Sequence, residues 1–360
     1  MTGRERFLTA LSRQEPDRIP VWELIIDRPV IEALEGDISK EDFTERYDLD
    51  GITVFQDMRR VRDLDAQTYE DEWGIIWRVG AAGIAYPLEG PIKGEKDLDS
   101  FQHPDPDAEH RLESLQRAVS RFKGERVIVF LAHETFEFSH YLLGGMDKLF
   151  LAYIENPHFV ERLSEVIWGY NARLFKNAAE AGADVLLTGD DYAGRLGTLM
   201  SPAHFRRFVL PYLERAVDVA KSFGLPFIKH TDGNLWGVMD DIVVSGISGL
   251  CPLEPIAHMD IGEVKRRYGD RICLAGNVDC TGVLPHGTEE DVTEAVKETI
   301  AKAAAGGGLI LSSSNSIHPG VKPENYLAML KAAREFGNYP LDEEMVREYK
   351  NKNYMERFLD

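Results

Sequence analysis

The sequence predicts one domain, residues 1–360, of the α/β class: a closed (β/α)8 TIM barrel with a β-hairpin inserted between its second and third strands. Three observations carry this. Eight short runs rich in Val, Ile, Leu and Phe recur along the chain, and most are separated by segments with a 3.6-residue apolar period. Runs apolar on both faces need helices over each face, which makes the sheet parallel. No GxGxxG turn follows an early run, as the competing doubly wound sheet would want.

In chain order the predicted strands are 19–24 (IPVWEL), 51–56 (GITVFQ), 127–132 (VIVFLA), 184–188 (DVLLT), 226–230 (PFIKH), 247–252 (ISGLCP), 271–276 (RICLAG) and 309–313 (LILSS). Helices are predicted over 201–223, 287–305 and 323–336, opened by Ser, Thr or Pro signals. About seventy residues separate the second and third runs, and within them 69–91 alternates apolar and polar residues around Gly-rich turns, the pattern of a hairpin capping the barrel mouth. Gly306, Gly307 and Gly308 read as a helix end before the last strand. The tail 340–360 reads as an amphipathic helix packed outside.

Charge narrows the partners. The chain has 41 Lys+Arg against 61 Asp+Glu, a net charge of -20, and no basic run, which speaks against nucleic acid and anionic membrane surfaces. No apolar stretch approaches the roughly 20 residues of a membrane span, and the N-terminus carries charges where a signal peptide needs apolar residues. A cytoplasmic protein is expected. Cys251, Cys273 and Cys280 are too few for a disulfide framework in a chain of this length, which leaves them as packing residues or metal ligands.

The stretch KHTDGN, 229–234, ends the fifth strand. Strand side chains alternate, so His230 and Asp232 face one side with Thr231 between them, and Gly233 turns the backbone away. The bland reading makes Asp232 a helix cap and His230 a satisfied core histidine. Other strand ends bring more polar groups to the same rim: Trp22-Glu23, Gln56-Asp57, His133-Glu134, Asp190-Asp191-Tyr192, Cys251 with Glu254, Asn277 with Asp279 and Cys280, and Asn315 with His318. So many carboxylates and imidazoles in one mouth repel unless a cation, a proton or a basic substrate sits among them. Trp22, Trp73, Phe136, Phe138 and Tyr192 are candidate pocket walls. No GxSxG turn or P-loop pattern is present, which weakens hydrolase and nucleotide-dependent readings.

Four stretches, RERFLTALSRQEPDRIPVWE, SPAHFRRFVLPYLERAVDVAKSFGLPFIKHTDGN, PLEPIAHMDIGEVKRRYGDRICLAGNVD and GGGLILSSSNSIHPGVKPENYLAM, resemble the uroporphyrinogen decarboxylase superfamily nearly end to end. The resemblance implies (β/α)8 barrels and either of two chemistries. One is porphyrinogen decarboxylation without a cofactor; the other moves methyl groups to or from a corrinoid carried by a partner protein, often with zinc. The decarboxylase branch has an arginine-rich FRQAGRY-like element after its first strand, for which this chain has WELIIDRPV, with Arg28 as its one cation. Thiol-acting methyltransferases resemble His-x-Cys after strand five, where this chain has His230 and Asp232. Oxygen and imidazole ligands make a harder Lewis acid than thiolates do. The resemblance therefore implies a corrinoid-dependent methyltransferase of the O-demethylase type, acting on a small methoxylated aromatic donor.

The expected catalytic residues are His230, Asp232 and Asp191, and the expected zinc ligands are His230 and Asp232 with Glu254 and Cys251 as additions. Trp22, Glu23, Asp57, Trp73, Tyr192, Asn277, Asn315 and His318 are expected at the substrate. The expected partners are the methyl donor and a protein-borne cobalamin or other corrinoid docked beside the insertion, with homodimerisation possible through the same insertion. The alternatives are a lyase of the decarboxylase type and a noncatalytic small-molecule-binding member of the superfamily.

Overall fold

The computed structural model describes residues 1–80 and 85–358. In chain order the strands are β1 (Gly51–Phe55), β2 (Arg60–Asp63), β3 (Thr68–Asp71), β4 (Ile76–Val79), β5 (Ala85–Glu89), β6 (Val127–Ala132), β7 (Val185–Thr188), β8 (Ala193–Gly194), β9 (Gly197–Thr198), β10 (Phe227–His230), β11 (Gly249–Cys251), β12 (Cys273–Val278) and β13 (Leu309–Ser313). Seven of the eight predicted runs form one parallel sheet in the order β1-β6-β7-β10-β11-β12-β13, with helices between successive strands. Chain neighbours are sheet neighbours throughout, which curls the sheet around an interior.

Side-chain alternation sorts that sheet into two faces. Val127, Val129, Leu131, Val185, Leu187, Ile228, Cys251, Cys273, Ala275 and Ile310 form the inner cluster with Phe7 and Trp22. Ile128, Phe130, Leu186, Phe227 and Leu274 join the outer core beneath the helices. Each large side chain enclosed in this way stabilises the fold by roughly 1.5–3 kcal/mol.

The closed eight-stranded barrel is corrected to an open, curled seven-stranded sheet. Residues 19–24 occupy the gap between β13 and β1 without forming a strand. Val21 makes a single parallel bridge to Leu311. Pro20 has no N–H to give, and the Val21 N–H donates to the Asp50 carboxylate at 2.7 Å instead of to a backbone carbonyl. The Asp50 N–H returns one bond to the Val21 carbonyl at 2.8 Å. A side chain thus takes the place of a ladder acceptor, and no regular ladder forms on either side.

The insertion is larger than a hairpin: β2, β3, β4 and β5 form a separate antiparallel sheet in that order. All four residues of β2 are exposed, so its sequence, RVRD, lacks the half-buried alternation that marks an ordinary strand. The Asp71 carboxylate accepts from the Trp73 and Ile75 N–H groups and from the Trp77 indole, pinning the β3–β4 turn. The helix predicted over 201–223 is two, Pro202–Phe208 and Leu210–Ser222, with Pro211 at the start of the second where its missing donor is tolerated. The tail forms a short helix, Glu343–Tyr349, and a 3-10 turn, Tyr354–Phe358, both tied through Tyr349 and Tyr354 to Glu294 on the helix Glu289–Ala303. Gly307, at φ 80°, ends the approach to β13; a Cβ there would lie 2.3 Å from the Gln14 carbonyl carbon. Among the described residues no helix is long and apolar enough to cross a membrane.

Candidate active site

β7, β10 and β11 end together at the C-terminal edge of the curled sheet. His230 is the last residue of β10 and follows Ile228 on the inner face, where it is 6% exposed. The chain continues through Asp232 and turns at Gly233, whose φ of 85° favours glycine. No larger residue fits this turn, since a Cβ on Gly233 would lie 2.4 Å from the Ala193 carbonyl. Its N–H donates to Glu254 Oε2 at 2.7 Å, which ties the turn to the segment after β11.

This turn brings together one imidazole and two carboxylates. His230 Nε2 lies 3.4 Å from Asp232 Oδ1 and 3.8 Å from Asp191 Oδ1. One ligand atom from each of Asp191, His230 and Asp232 falls within 4.8 Å of the other two. Asp191 Oδ1 accepts from the Asp232 N–H at 2.9 Å, and Asp232 Oδ2 accepts from the Asn315 side-chain amide at 2.6 Å. Asp232 Oδ1 is buried and has no hydrogen-bond partner among the described residues. An orphaned carboxylate oxygen beside an imidazole nitrogen and a second carboxylate fits a divalent cation, and one nitrogen with two oxygens is a donor set that zinc accepts while keeping a position open. The Asp191 side chain stays 37% exposed, so the cluster opens toward the mouth.

The electrostatics follow from crowding. Burial, then the charges of Asp191 and Glu254, push the Asp232 carboxyl up to about 9. Burial, then Glu137, push Asp191 up to about 7. Burial, then Lys229 and His133, lower His230 to about 3. A bound cation opposes every one of these shifts for the carboxylates.

The other expected ligands stand outside the three-residue cluster. Cys251 Sγ lies 3.7 Å from His230 Nδ1, the ring nitrogen turned away from the carboxylates, and burial raises its thiol pKa. Glu254 engages the Gly233 backbone.

Behind the cluster, on the outer face of the sheet, Lys229 and Glu134 form a fully buried ion pair at 3.1 Å. Glu134 also accepts from the Tyr192 hydroxyl at 2.8 Å and from the Thr188 hydroxyl. Glu137 accepts from the Asp191 N–H at 3.1 Å and bonds His140 at 3.0 Å. Asp190 pairs with His133 Nδ1 at 2.7 Å and accepts from the Thr135 and Phe136 N–H groups at the start of the helix Phe136–Leu143. Sequence reasoning passes over Lys229, Glu137 and His140. The signal for Lys229 is a cation inside a buried run, and for the other two it is a pair of titratable residues three apart at a helix start.

Of the residues expected at the substrate, the structure brings Asn315 to the cluster. Trp22 plugs the inner core, its indole donating to Thr53 Oγ1 at 3.0 Å. Trp73, 2% exposed, lies within an aromatic group whose Phe138 and Tyr170 centroids are each 4.7 Å away. Tyr192 is enclosed with its hydroxyl on Glu134. Asp57 accepts from the Ser114 N–H and hydroxyl at 2.7 and 2.5 Å. Glu23 bonds Ser313. Asn277 donates to the Leu253 carbonyl and accepts from Thr299, toward the helix Glu289–Ala303. His318 lies between the Cys280 carbonyl and the Gly320 N–H.

Residues 42–336 match the family model described as uroporphyrinogen decarboxylase (URO-D). Curated proteins named uroporphyrinogen decarboxylase from Shewanella pealeana and Aeromonas salmonicida are 28% and 25% identical, each aligned over 92% of this chain and 96% of its own length. A solved structure, a methyltransferase from Methanosarcina mazei, superposes with a TM-score of 0.75 at 20% identity, covering 93% of this chain and 99% of that one. This last likeness is one of fold.

Proposed function

The chain belongs to the uroporphyrinogen decarboxylase family, and from that premise we propose that it is a methyltransferase that transfers a methyl group from a small methoxylated aromatic donor to cobalt(I) of a corrinoid on a partner protein. The observation that carries the proposal is the Asp191–His230–Asp232 cluster with its unpartnered Asp232 oxygen. Zinc held by these three side chains would supply Lewis acidity toward the ether oxygen that leaves.

The chain's own residues do the rest by placement. Asn315 fixes one oxygen of Asp232, and the Asp232 N–H and the Glu137–Asp191 contact hold Asp191 opposite it. Both carboxylates therefore reach the cluster already oriented, which lowers the entropic cost of assembling the reacting groups. Lys229, adjacent to His230 in sequence, points to the other face, where Glu134 neutralises it; its ammonium does not compete for the carboxylates of the cluster. The inserted sheet, β2 to β5, offers exposed Arg60, Val61 and Arg62 as a docking face for a partner protein.

A second reading, a lyase of the decarboxylase type, is favoured by the curated relatives that bear that name along 92% of the chain. Charge opposes it. A porphyrinogen with many carboxylates would meet an acidic cluster, and Arg28, the cation of the segment after residues 19–24, is paired with Glu32 and Asp37. One pair of assays separates the two. Zinc-loaded protein is mixed with a methoxylated aromatic panel and a cobalt(I) corrinoid protein, and methylcobalt formation is followed by absorbance; the same preparation is given uroporphyrinogen, and carbon dioxide release is measured. Methylcobalt without carbon dioxide is the expected result, and the reverse establishes the lyase.

A further inference from the structure

We infer that Glu23 is a protonated carboxylic acid that serves as a positioning residue for Asp232, acting through Ser313 and Asn315. The inference rests on the reading of Asp191, His230 and Asp232 as a metal site.

A hydrogen count carries the argument. Ser313 Oγ lies 2.7 Å from Glu23 Oε2 and 2.6 Å from the Asn315 carbonyl oxygen. A hydroxyl has one proton to donate. If Glu23 were ionised, both neighbours would be acceptors, and one of these short contacts would join two oxygens with no hydrogen between them. A proton on Glu23 Oε2 resolves the count: Glu23 donates to Ser313 Oγ, and Ser313 donates onward to the Asn315 carbonyl. The Ser313 N–H bridges the two carboxyl oxygens, 3.1 Å from Oε2 and 3.2 Å from Oε1, and with the proton on Oε2 it has Oε1 as the free acceptor.

The surroundings favour the neutral form. Glu23 is 3% exposed, and among the described residues no cationic side chain hydrogen-bonds it. The Lys40 ammonium donates to the Thr53 carbonyl at 2.8 Å. Tyr326, a titratable group facing Glu23 from the helix Pro323–Phe336, is itself buried with an unpartnered hydroxyl. Burial pushes Glu23 up to about 8 against the hydrogen bonds from Ser313.

The consequence is felt at Asn315. Its carbonyl is held by Ser313, its side-chain Oδ1 accepts from the Ser316 N–H at 2.7 Å, and its Nδ2 therefore points to Asp232 Oδ2. With Oδ2 engaged, Asp232 presents Oδ1 to His230. Metal ligands held in this way by an outer hydrogen bond typically lose about 10–100-fold in affinity when that bond is removed.

The test uses Glu23→Gln and Ser313→Ala. In metal-free protein at pH 7, the infrared difference spectrum of wild type minus Glu23→Gln should show a carboxylic-acid carbonyl stretch, and a carboxylate band in its place overturns the assignment. The NMR signals of the Asn315 side-chain amide should be unmoved in Glu23→Gln, whose amide donates to Ser313 Oγ as the acid does, and displaced in Ser313→Ala. Equal displacement in both overturns the relay without reference to metal. Zinc titration should then give wild-type affinity for Glu23→Gln and about 10–100-fold weaker binding for Ser313→Ala. Wild-type protein that takes up no zinc defeats the metal reading of the cluster, while the infrared and NMR results still decide the relay.

Discussion

Asn315 Nδ2 and Asp232 Oδ2 lie 2.6 Å apart, and this bond leaves the other oxygen of Asp232 buried, unpartnered and 3.4 Å from His230 Nε2. The strand that ends in His230 and the chain that follows β13 are thereby joined at one carboxylate.

Asp232→Asn should keep its fold and abolish the zinc binding proposed for the cluster. The amide is isosteric and can still accept from Asn315, but it places a neutral group where the orphaned oxygen stands. Zinc content by elemental analysis should fall below one per chain, and turnover should drop about 10²–10³-fold, with an unchanged far-UV spectrum. Near-normal zinc content and turnover would remove Asp232 from the site.

Asp57→Ala should act on stability alone. The Asp57 carboxylate satisfies the Ser114 N–H in the first turn of the helix Glu113–Phe122, whose preceding residue, Leu112, supplies no side-chain cap. Its loss should cost about 1–2 kcal/mol in urea unfolding and leave zinc stoichiometry intact. Altered substrate affinity at full zinc content would instead place Asp57 at the substrate.

Lys229→Met should be among the most destabilising single changes, by about 3–5 kcal/mol, because it strands Glu134 as an unpaired charge in a fully buried place. The double variant Lys229→Met/Glu134→Gln should recover much of that loss. Additive losses in urea unfolding would show that the two side chains act independently.

Glu23 gives the protein a pH dependence of known sign. Its folded value, about 8, lies above its ordinary value of 4.5, so the folded state binds the proton more tightly than the unfolded chain does. The associated stability is complete below about pH 4.5 and is lost as pH rises through about 8, by at most roughly 5 kcal/mol at ~1.4 kcal/mol per unit. Glu23→Gln should therefore melt closer to wild type at pH 5 than at pH 9, where the variant should be the more stable of the two. A constant difference across that range would show that Glu23 titrates normally.

Much of the fold was legible because the sheet is buried on both faces. Val127–Ala132 and Leu309–Ser313 match their apolar runs end for end, since an unbroken run of buried residues has no exposed position to blur its limits. IPVWEL, also largely apolar, is not a strand. Nothing local in the run announces that Asp50, almost thirty residues later, takes the Val21 N–H. The strand β2 was hidden for the opposite reason, because an edge strand exposed at every residue carries arginine and aspartate where a pattern reader looks for alternation.

The sequence by itself determined that His230, at the end of β10, and Asp232, just past it, face one side, because side chains two apart alternate on an extended backbone, and that a turn follows them, because Gly233 adopts a φ other residues avoid. Tertiary structure alone decided their company. Asp191 and Asn315 come from 39 residues before His230 and from 83 residues after Asp232, respectively. Glu254, nearer in sequence, binds backbone instead, and Cys251 faces the other nitrogen of the imidazole. Which carboxylate completes a cluster depends on how adjacent strands stagger and where their loops turn, and those are distances of a few ångströms set by packing across the whole sheet.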